Sequence, residues 1–233
     1  MKQCAGYTGL LLLIGLLGLV GCTNTEEKIA QGRTWMTYQG DPASSSYSPL
    51  SEINASNVHQ LQNVWTFQTT DLPDGADPVT SQSNPIIVDG VLYANSAKQT
   101  VYAINAKTGE KIWSFNPLEE GAPSATSRGV TYWEKGEDKR ILYSASNYIL
   151  AIDATTGKLI TTFGEEGKVN LNVGVRDDPN KISVSLTTPG SIYKDFIIVG
   201  SRLPDFYGSP PGYIRAYNVH TGELGWTFHT IPH

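Results

Sequence analysis

The chain has 233 residues, with 17 lysines and arginines against 22 aspartates and glutamates, for a formal net charge of -5. That balance argues against nucleic-acid binding, which normally needs a basic surface. Only 17% of the residues are charged, whereas 23 are glycine, 12 tyrosine and 5 tryptophan. This composition excludes a coiled coil and a disordered chain, and it favours a β protein with many turns.

The N-terminal segment predicts export from the cytoplasm. Residues 10–20 form an uncharged apolar run, which is short for a bilayer span of about 20 residues. The run ends in Leu-Val-Gly-Cys at residues 19–22, which resembles the bacterial lipobox, where the cysteine is lipidated. We therefore expect a lipoprotein signal peptide at residues 1–21, a lipidated Cys22 and a tether at residues 22–34. An ordinary signal peptide or an uncleaved anchor is the alternative.

Lipidation of Cys22 would place the protein in the periplasm, held to the membrane by a glyceride with several acyl chains. We expect the outer membrane rather than the inner one, because Thr23 and Asn24 follow the cysteine instead of an aspartate. Cleavage before Cys22 also removes Cys4, so the mature chain keeps a single cysteine and no internal disulfide.

Three segments repeat one pattern, in which an apolar run with a central alanine reaches Asn or Asp, then Thr-Gly, then a second strand. The repeats occupy residues 101–113, 149–161 and 214–226. A partial copy lies at Trp65. The residues that end the second strand are therefore Trp65, Trp113, Thr161 and Trp226, with a period of 48 over the first three. We expect these side chains to cover the seams between neighbouring sheets.

The repeated unit predicts a hairpin. An Asn or Asp side chain can bind the backbone of the turn that follows it, and a glycine supplies the positive φ that closes the turn. These residues are Asn105, Asp153 and Asn218, with Gly109, Gly157 and Gly222. Another hairpin is predicted at Asp89-Gly90, between two apolar runs.

Four strands in about 48 residues match one blade of a β-propeller. We therefore expect an all-β propeller of four-stranded antiparallel blades at residues 66–113, 114–161 and 162–226, with an edge strand before Trp65. Propellers close with about four to eight blades, and three blades would leave a strand ladder unpaired. We expect the chain to be the N-terminal part of a longer protein.

The repeat also resembles the tryptophan-docking repeat of pyrroloquinoline quinone (PQQ) dehydrogenases. Residues 35–41 and 47–54 look like the N-terminal segment of that family, and residues 127–133 look like its arginine-glycine-valine cofactor loop. The resemblance covers residues 33–233, is nearest to the glucose-dehydrogenase-like branch, and implies a propeller domain at residues 35–233, three blades of eight. It further implies oxidation of a sugar or alcohol with PQQ and calcium, and electron transfer to a respiratory quinone or a c-type cytochrome.

Five residues match positions that serve the cofactor in this family. PQQ carries three carboxylates and an ortho-quinone, which suit guanidinium and hydroxyl donors, and calcium prefers carboxylate oxygens. The resemblance assigns PQQ binding to Arg128, Gln82, Thr187 and Thr188, and calcium binding to Asp205. The alternatives are an Arg128 that pairs with an acid across a blade and an Asp205 that is a solvated loop residue. The catalytic base is expected beyond residue 233.

The residues before Arg128 depart from the family pattern. They lack the adjacent cysteines of the alcohol dehydrogenases, and Ser124 stands where the membrane glucose dehydrogenases carry histidine. These departures leave the choice between sugar and alcohol open.

A second hypothesis is a non-catalytic lipoprotein propeller with PQQ-like repeats that scaffolds outer-membrane protein assembly. It shares the lipobox and the repeat. The Arg128 loop and residues 35–54 favour the dehydrogenase, because a scaffold does not need them.

Overall fold

The computed structural model describes residues 34–71, 80–123, 125–175 and 184–231. In these residues, three four-stranded antiparallel sheets follow one another along the chain. The first sheet contains β1 (Ile86–Val88), β2 (Val91–Asn95), β3 (Val101–Asn105) and β4 (Lys111–Phe115). The second contains β5 (Thr131–Lys135), β6 (Asp138–Ala145), β7 (Tyr148–Asp153) and β8 (Lys168–Asn170). The third contains β9 (Ser191–Tyr193), β10 (Phe196–Val199), β11 (Ile214–Asn218) and β12 (Leu224–Phe228).

Within each sheet, every strand pairs with the next strand in the chain, so each sheet is a four-stranded meander of the kind that forms a propeller blade. The predicted fold class is confirmed. One short 3-10 helix, Val58–Gln60, precedes the blades. The described residues contain no helix that is long and apolar enough to cross a bilayer. The predicted signal peptide and Cys22 lie outside the described residues.

The predicted turns are present. Asp89 and Gly90 have φ values of 47° and 80°, and both lie in the left-handed region that a tight hairpin between β1 and β2 requires. In the turn after β3, the Asn105 side-chain oxygen accepts from the backbone N–H groups of Lys107 and Thr108 at 2.9 and 3.1 Å. Asp153 and Asn218 make the same pair of contacts in the other two blades.

The second blade ends later than the repeat predicted. Its outer strand is β8, whereas Leu159 makes only an isolated bridge to Ile152 and Thr161 is exposed. The predicted blade end at residue 161 is therefore wrong, because a threonine cannot fill the seam that a tryptophan fills elsewhere. The chain instead runs on to Phe163, which is fully buried, and returns along the blade as β8.

One other strand prediction needs correction. In the described part of the chain, the edge strand expected before Trp65 is only an isolated antiparallel bridge between Trp35 and Ile87, and the first full strand begins at Ile86. The apolar run at residues 191–199 forms the two strands β9 and β10, because the backbone turns at Lys194 with φ 53°.

The core consists of two apolar clusters, one on each face of the second blade. Strand β6 shows the alternation that this requires, since Ile141 and Tyr143 belong to the cluster shared with the first blade, whereas Leu142 belongs to the cluster shared with the third. The second blade is thus buried on both faces and holds the three blades together.

Candidate cofactor site

The segments that lead into the first strands of the three blades are bonded to one another. The Asn84 N–H, just before β1, donates to the Arg128 carbonyl at 2.9 Å. The Arg128 N–H, just before β5, donates in turn to the Thr187 carbonyl at 2.8 Å, just before β9. Three blades therefore meet at one end of their first strands, and this end carries Arg128 and Thr187.

The N-terminal segment lines the free edge of β1 close to this point. The N–H and carbonyl groups of Trp35 pair with those of Ile87 at 2.8 and 2.9 Å. The Thr34 hydroxyl also donates to the Ile87 carbonyl at 2.8 Å. Because Trp35 runs antiparallel to β1, the residues that follow it run towards Asn84 and the starts of the first strands.

The structure brings two of the predicted cofactor side chains into contact. The exposed Arg128 guanidinium donates to the Thr187 hydroxyl at 3.3 Å. Thr188 is exposed beside Thr187, and Gln82 is exposed two residues before Asn84. The Asn84 side-chain amide donates to the carbonyls of Gln82 and Arg128 at 3.3 and 3.4 Å. The four predicted PQQ-binding residues thus belong to neighbouring segments at one end of the blades.

Arg128 forms none of the ion pairs found among the described residues. Its side-chain partner there is the neutral hydroxyl of Thr187. An exposed guanidinium whose partner is neutral keeps the charge and the planar donors that bind a carboxylate.

A cleft of about 380 Å³ opens beside the two threonines. Its walls include Thr187 and Thr188 on one side, and Gly200, Ser201 and Arg202 on the other. Backbone hydrogen bonds between Ser185 and Arg202, at 2.7 and 3.0 Å, hold these two segments together. The cleft is therefore built by the segment before β9 and the segment after β10.

Asp205, the predicted calcium ligand, lies in the loop between β10 and β11 and is exposed. No group of three or more His, Cys, Asp or Glu side chains in the described parts of the chain could hold a metal ion. The calcium assignment stays a prediction, since a single carboxylate does not make a calcium site.

Sequence reasoning missed the side-chain amides that surround the Arg128 loop (residues 125–129). These are Asn84, Asn95 and Gln99, of which Asn95 and Gln99 are 5% and 1% exposed. The one available sequence signal was the polar residues in the connection between β2 and β3. A buried connection would otherwise be expected to contain apolar residues. They contact the backbone of the Arg128 loop rather than its side chains.

Comparison with known proteins identifies the family. The family described as "Glucose/ethanol/alcohol dehydrogenase, beta-propeller domain", designated PQQ, matches residues 35–233. The chain belongs to this family of PQQ-dependent dehydrogenase propellers. The resemblance inferred from the repeat and the Arg128 loop is therefore confirmed.

Individual relatives of this PQQ propeller agree with the match. The chain is 32% identical over 212 residues to the quinoprotein glucose dehydrogenase of Escherichia coli (strain K12), covering 83% of this chain and 27% of the relative. It is also 32% identical over 209 residues to the glycerol dehydrogenase large subunit of Gluconobacter oxydans (strain 621H), covering 83% and 28%.

A solved structure supports the same fold. The crystal structure of quinohemoprotein alcohol dehydrogenase from Comamonas testosteroni superposes with a TM-score of 0.71 at 28% identity, covering 89% of this chain and 28% of that protein. The chain thus spans little more than a quarter of the length of the relatives that it matches.

Proposed function

We propose that this propeller is part of a PQQ-dependent dehydrogenase that oxidises a sugar or an alcohol and passes the electrons to a respiratory quinone or a c-type cytochrome. The observation that carries the proposal is Arg128, an exposed guanidinium beside the Thr187 hydroxyl where three blades meet. The named substrates of the relatives, glucose, glycerol and alcohol, support the substrate class.

The residues present suit PQQ. Arg128 offers planar donors to one of its carboxylates, and Thr187 and Thr188 offer hydroxyls on the wall of the neighbouring cleft. Gln82 offers an uncharged amide. When bound, PQQ supplies the two-electron oxidation, and the role of these side chains is to bind and orient it.

The test is a titration of the whole dehydrogenase to which this propeller is proposed to belong, prepared free of PQQ and titrated with PQQ in an isothermal titration calorimeter. Arg128→Lys keeps the charge but loses the planar fork, so we expect PQQ affinity to fall by about 1–3 kcal/mol. The matched control is Lys111→Gln, which removes an exposed cation from β4. A wild-type protein that binds no PQQ would overturn the proposal and favour the scaffold hypothesis.

We propose Asp205 as a calcium ligand of the same site. Because calcium prefers carboxylate oxygens, Asp205→Ala should raise the calcium concentration needed for PQQ uptake. PQQ and calcium are varied separately in the titration. If Asp205→Ala behaves as wild type with both, Asp205 is a solvated loop residue.

We also propose that Cys22 carries the lipid anchor and that the protein works in the periplasm at the outer membrane. Cys22→Ser should then move the protein from the membrane fraction to the soluble periplasmic fraction. Mass spectrometry of the wild-type N-terminus is the direct measurement, and an unmodified Cys22 would contradict the proposal.

A further inference from the structure

Two buried amides of the first blade face the backbone of the Arg128 loop. Asn95 is the last residue of β2, and Gln99 lies in the connection from β2 to β3. Their exposures are 5% and 1%. A buried side-chain amide is costly unless it is hydrogen-bonded, so the partners of these two residues reveal their role.

Gln99 binds both backbone polar groups of one loop residue, Ala125. In the amide orientation that satisfies both partners, its oxygen accepts from the Ala125 N–H at 2.9 Å and its nitrogen donates to the Ala125 carbonyl at 3.2 Å. The side chain thus replaces a neighbouring strand for this stretch of backbone. Such a contact fixes the path of the loop whatever side chains the loop carries.

Asn95 binds the same loop two residues further on. Its side-chain nitrogen donates to the Ser127 carbonyl at 3.2 Å and to the Ser96 carbonyl at 3.1 Å. Its side-chain oxygen has no hydrogen-bond partner within the described residues. The contribution of Asn95 therefore rests on its two N–H donors, one of which holds the residue directly before Arg128.

The backbone around Gln99 is arranged to present its side chain. Gln99 has φ 73°, a left-handed conformation that is unfavourable for a residue with a Cβ. The tight connection is held by Ser96, whose carbonyl accepts from the Gln99 N–H at 3.1 Å and whose hydroxyl accepts from the Thr100 N–H at 3.1 Å. The Ser96 hydroxyl donates in turn to Asp71. The first blade thus maintains an unfavourable conformation at the residue that binds the loop.

Backbone groups of the first and third blades hold the loop on its other side. Arg128 donates its N–H to Thr187 of the third blade and accepts from Asn84 of the first. Ser127 also donates its hydroxyl to the Gly129 carbonyl at 3.2 Å. The peptide units on both sides of Arg128 are therefore held, while the Arg128 side chain stays exposed.

We propose that Gln99 and Asn95 are positioning residues, which hold the Arg128 loop in the conformation that binds PQQ without touching PQQ themselves. This rests on the proposed function. A ligand binds more weakly when only a fraction of the protein has the competent conformation, and its apparent affinity falls by that fraction. Loosening the loop should therefore weaken PQQ binding while Arg128 is still present.

The decisive variant is Gln99→Glu, studied as a function of pH. An ionised glutamate can accept from the Ala125 N–H but repels the Ala125 carbonyl. A protonated one can accept from the first and donate to the second, as glutamine does. Burial raises the pKa of an introduced carboxyl group, so protonation is reached in mild acid.

The measurement is the PQQ affinity of the whole dehydrogenase by calorimetry, expressed as the ratio of variant affinity to wild-type affinity at each pH. We expect the Gln99→Glu ratio to be reduced about tenfold at about pH 8 and to return towards one at about pH 5. The wild-type curve cancels the titration of PQQ itself. Gln60→Glu, an exposed glutamine before the blades, is the control that adds the same charge and should give a ratio of one at every pH.

A second pair of variants separates positioning from stability. Asn95→Asp loses its donors when ionised and regains one when protonated, so it should show the same pH-dependent ratio and stands in if Gln99→Glu does not fold. Asn218→Ala removes the turn contacts of the third blade, and it should lower the melting temperature without changing PQQ affinity.

The outcomes are distinct. Wild-type protein that binds no PQQ overturns the proposed function. Wild-type protein that binds PQQ, with Gln99→Glu and Asn95→Asp ratios near one at all pH values, overturns the positioning role alone. A reduced ratio that does not recover in acid also counts against it, because the loss would then come from packing rather than from hydrogen bonding to the loop.

Discussion

The molecule has two seams, one between the first and second blades and one between the second and third. Different groups fill these seams at the glycine of the repeated turn. In the first seam, Trp113 of β4 lies against Gly157 and donates its ring N–H to the Ala154 carbonyl at 2.9 Å. In the second, the equivalent glycine, Gly222, faces the backbone of Gly164, whose N–H donates to the Thr221 carbonyl at 2.8 Å. The repeat therefore requires an open turn without a Cβ, and either an indole ring or a peptide unit can fill it.

The second seam also carries charge, whereas the first is aromatic. Arg140 binds both oxygens of Asp138 at 2.8 Å and donates to the Val219 carbonyl of the third blade at 2.9 Å. His220 lies 3.3 Å from Asp138 and packs edge-on against Trp133, with ring centroids 4.6 Å apart. The stability of this seam should therefore depend on pH, and that of the first seam on packing.

The largest expected effect on stability comes from removing the tryptophan ring that fills the first seam. Trp113→Ala removes a buried ring and leaves a cavity in the first seam, so we expect the free energy of unfolding to fall by about 3–5 kcal/mol. Urea denaturation provides the measurement. Trp65→Ala is the matched variant, because Trp65 docks on Gly109 in the same way but is half-buried, with a longer hydrogen bond of 3.3 Å. Equal losses for the two tryptophans would contradict the packing argument.

The turn glycines should rank next. A Cβ at Gly157 would lie 2.7 Å from the Trp113 ring, and one at Gly222 would lie 2.7 Å from the Gly164 backbone nitrogen. We expect this overlap to lower the free energy of unfolding of Gly157→Ala and of Gly222→Ala by about 1–3 kcal/mol each. This loss adds to the cost of placing an alanine at a positive φ. Gly90→Ala isolates that cost, since φ there is 80° and no atom lies within 4 Å of the added methyl. Thermal unfolding of all three variants tests this, and a Gly90→Ala loss as large as the others would count against it.

The smallest effect is the acid sensitivity of the second seam. Hydrogen bonds from Arg140 hold the pKa of Asp138 below its ordinary value. A lowered folded-state pKa gives stability that is present above the unfolded value of about 4 and is lost as pH falls through the folded value. Near neutral pH we expect the free energy of unfolding of wild type to exceed that of Asp138→Asn by less than about 1 kcal/mol, because Asp138 is only partly buried.

That difference should shrink as the pH falls below about 4, where Asp138 becomes protonated in wild type as well. The free energy of unfolding of both proteins, measured from about pH 3 to about pH 7, gives the comparison. Glu137→Gln, which removes the exposed neighbouring carboxylate, is the control. A difference that is constant over this range would show that Asp138 acts through packing alone.

Features whose causes are local can be predicted from the sequence. The Asn105 turn and the Asp89-Gly90 hairpin depend on contacts within a few residues and on positive φ, so the residue types predict them. The blade dimension followed from the spacing of these turns. Arg128 and Thr187 were found by resemblance to a family, since nothing local connects two residues 59 positions apart.

The groups that fill each seam and hold the Arg128 loop are visible only in the packed structure. Thr161 breaks the repeat, but only the position of Gly222 in the next blade shows that the Gly164 backbone takes the place of the ring. The contact of Asn95 with Ser127 joins a side chain to a backbone carbonyl 32 residues away. A backbone carbonyl is present at every residue, so such a contact leaves no pattern in the sequence and exists only once the blades are packed.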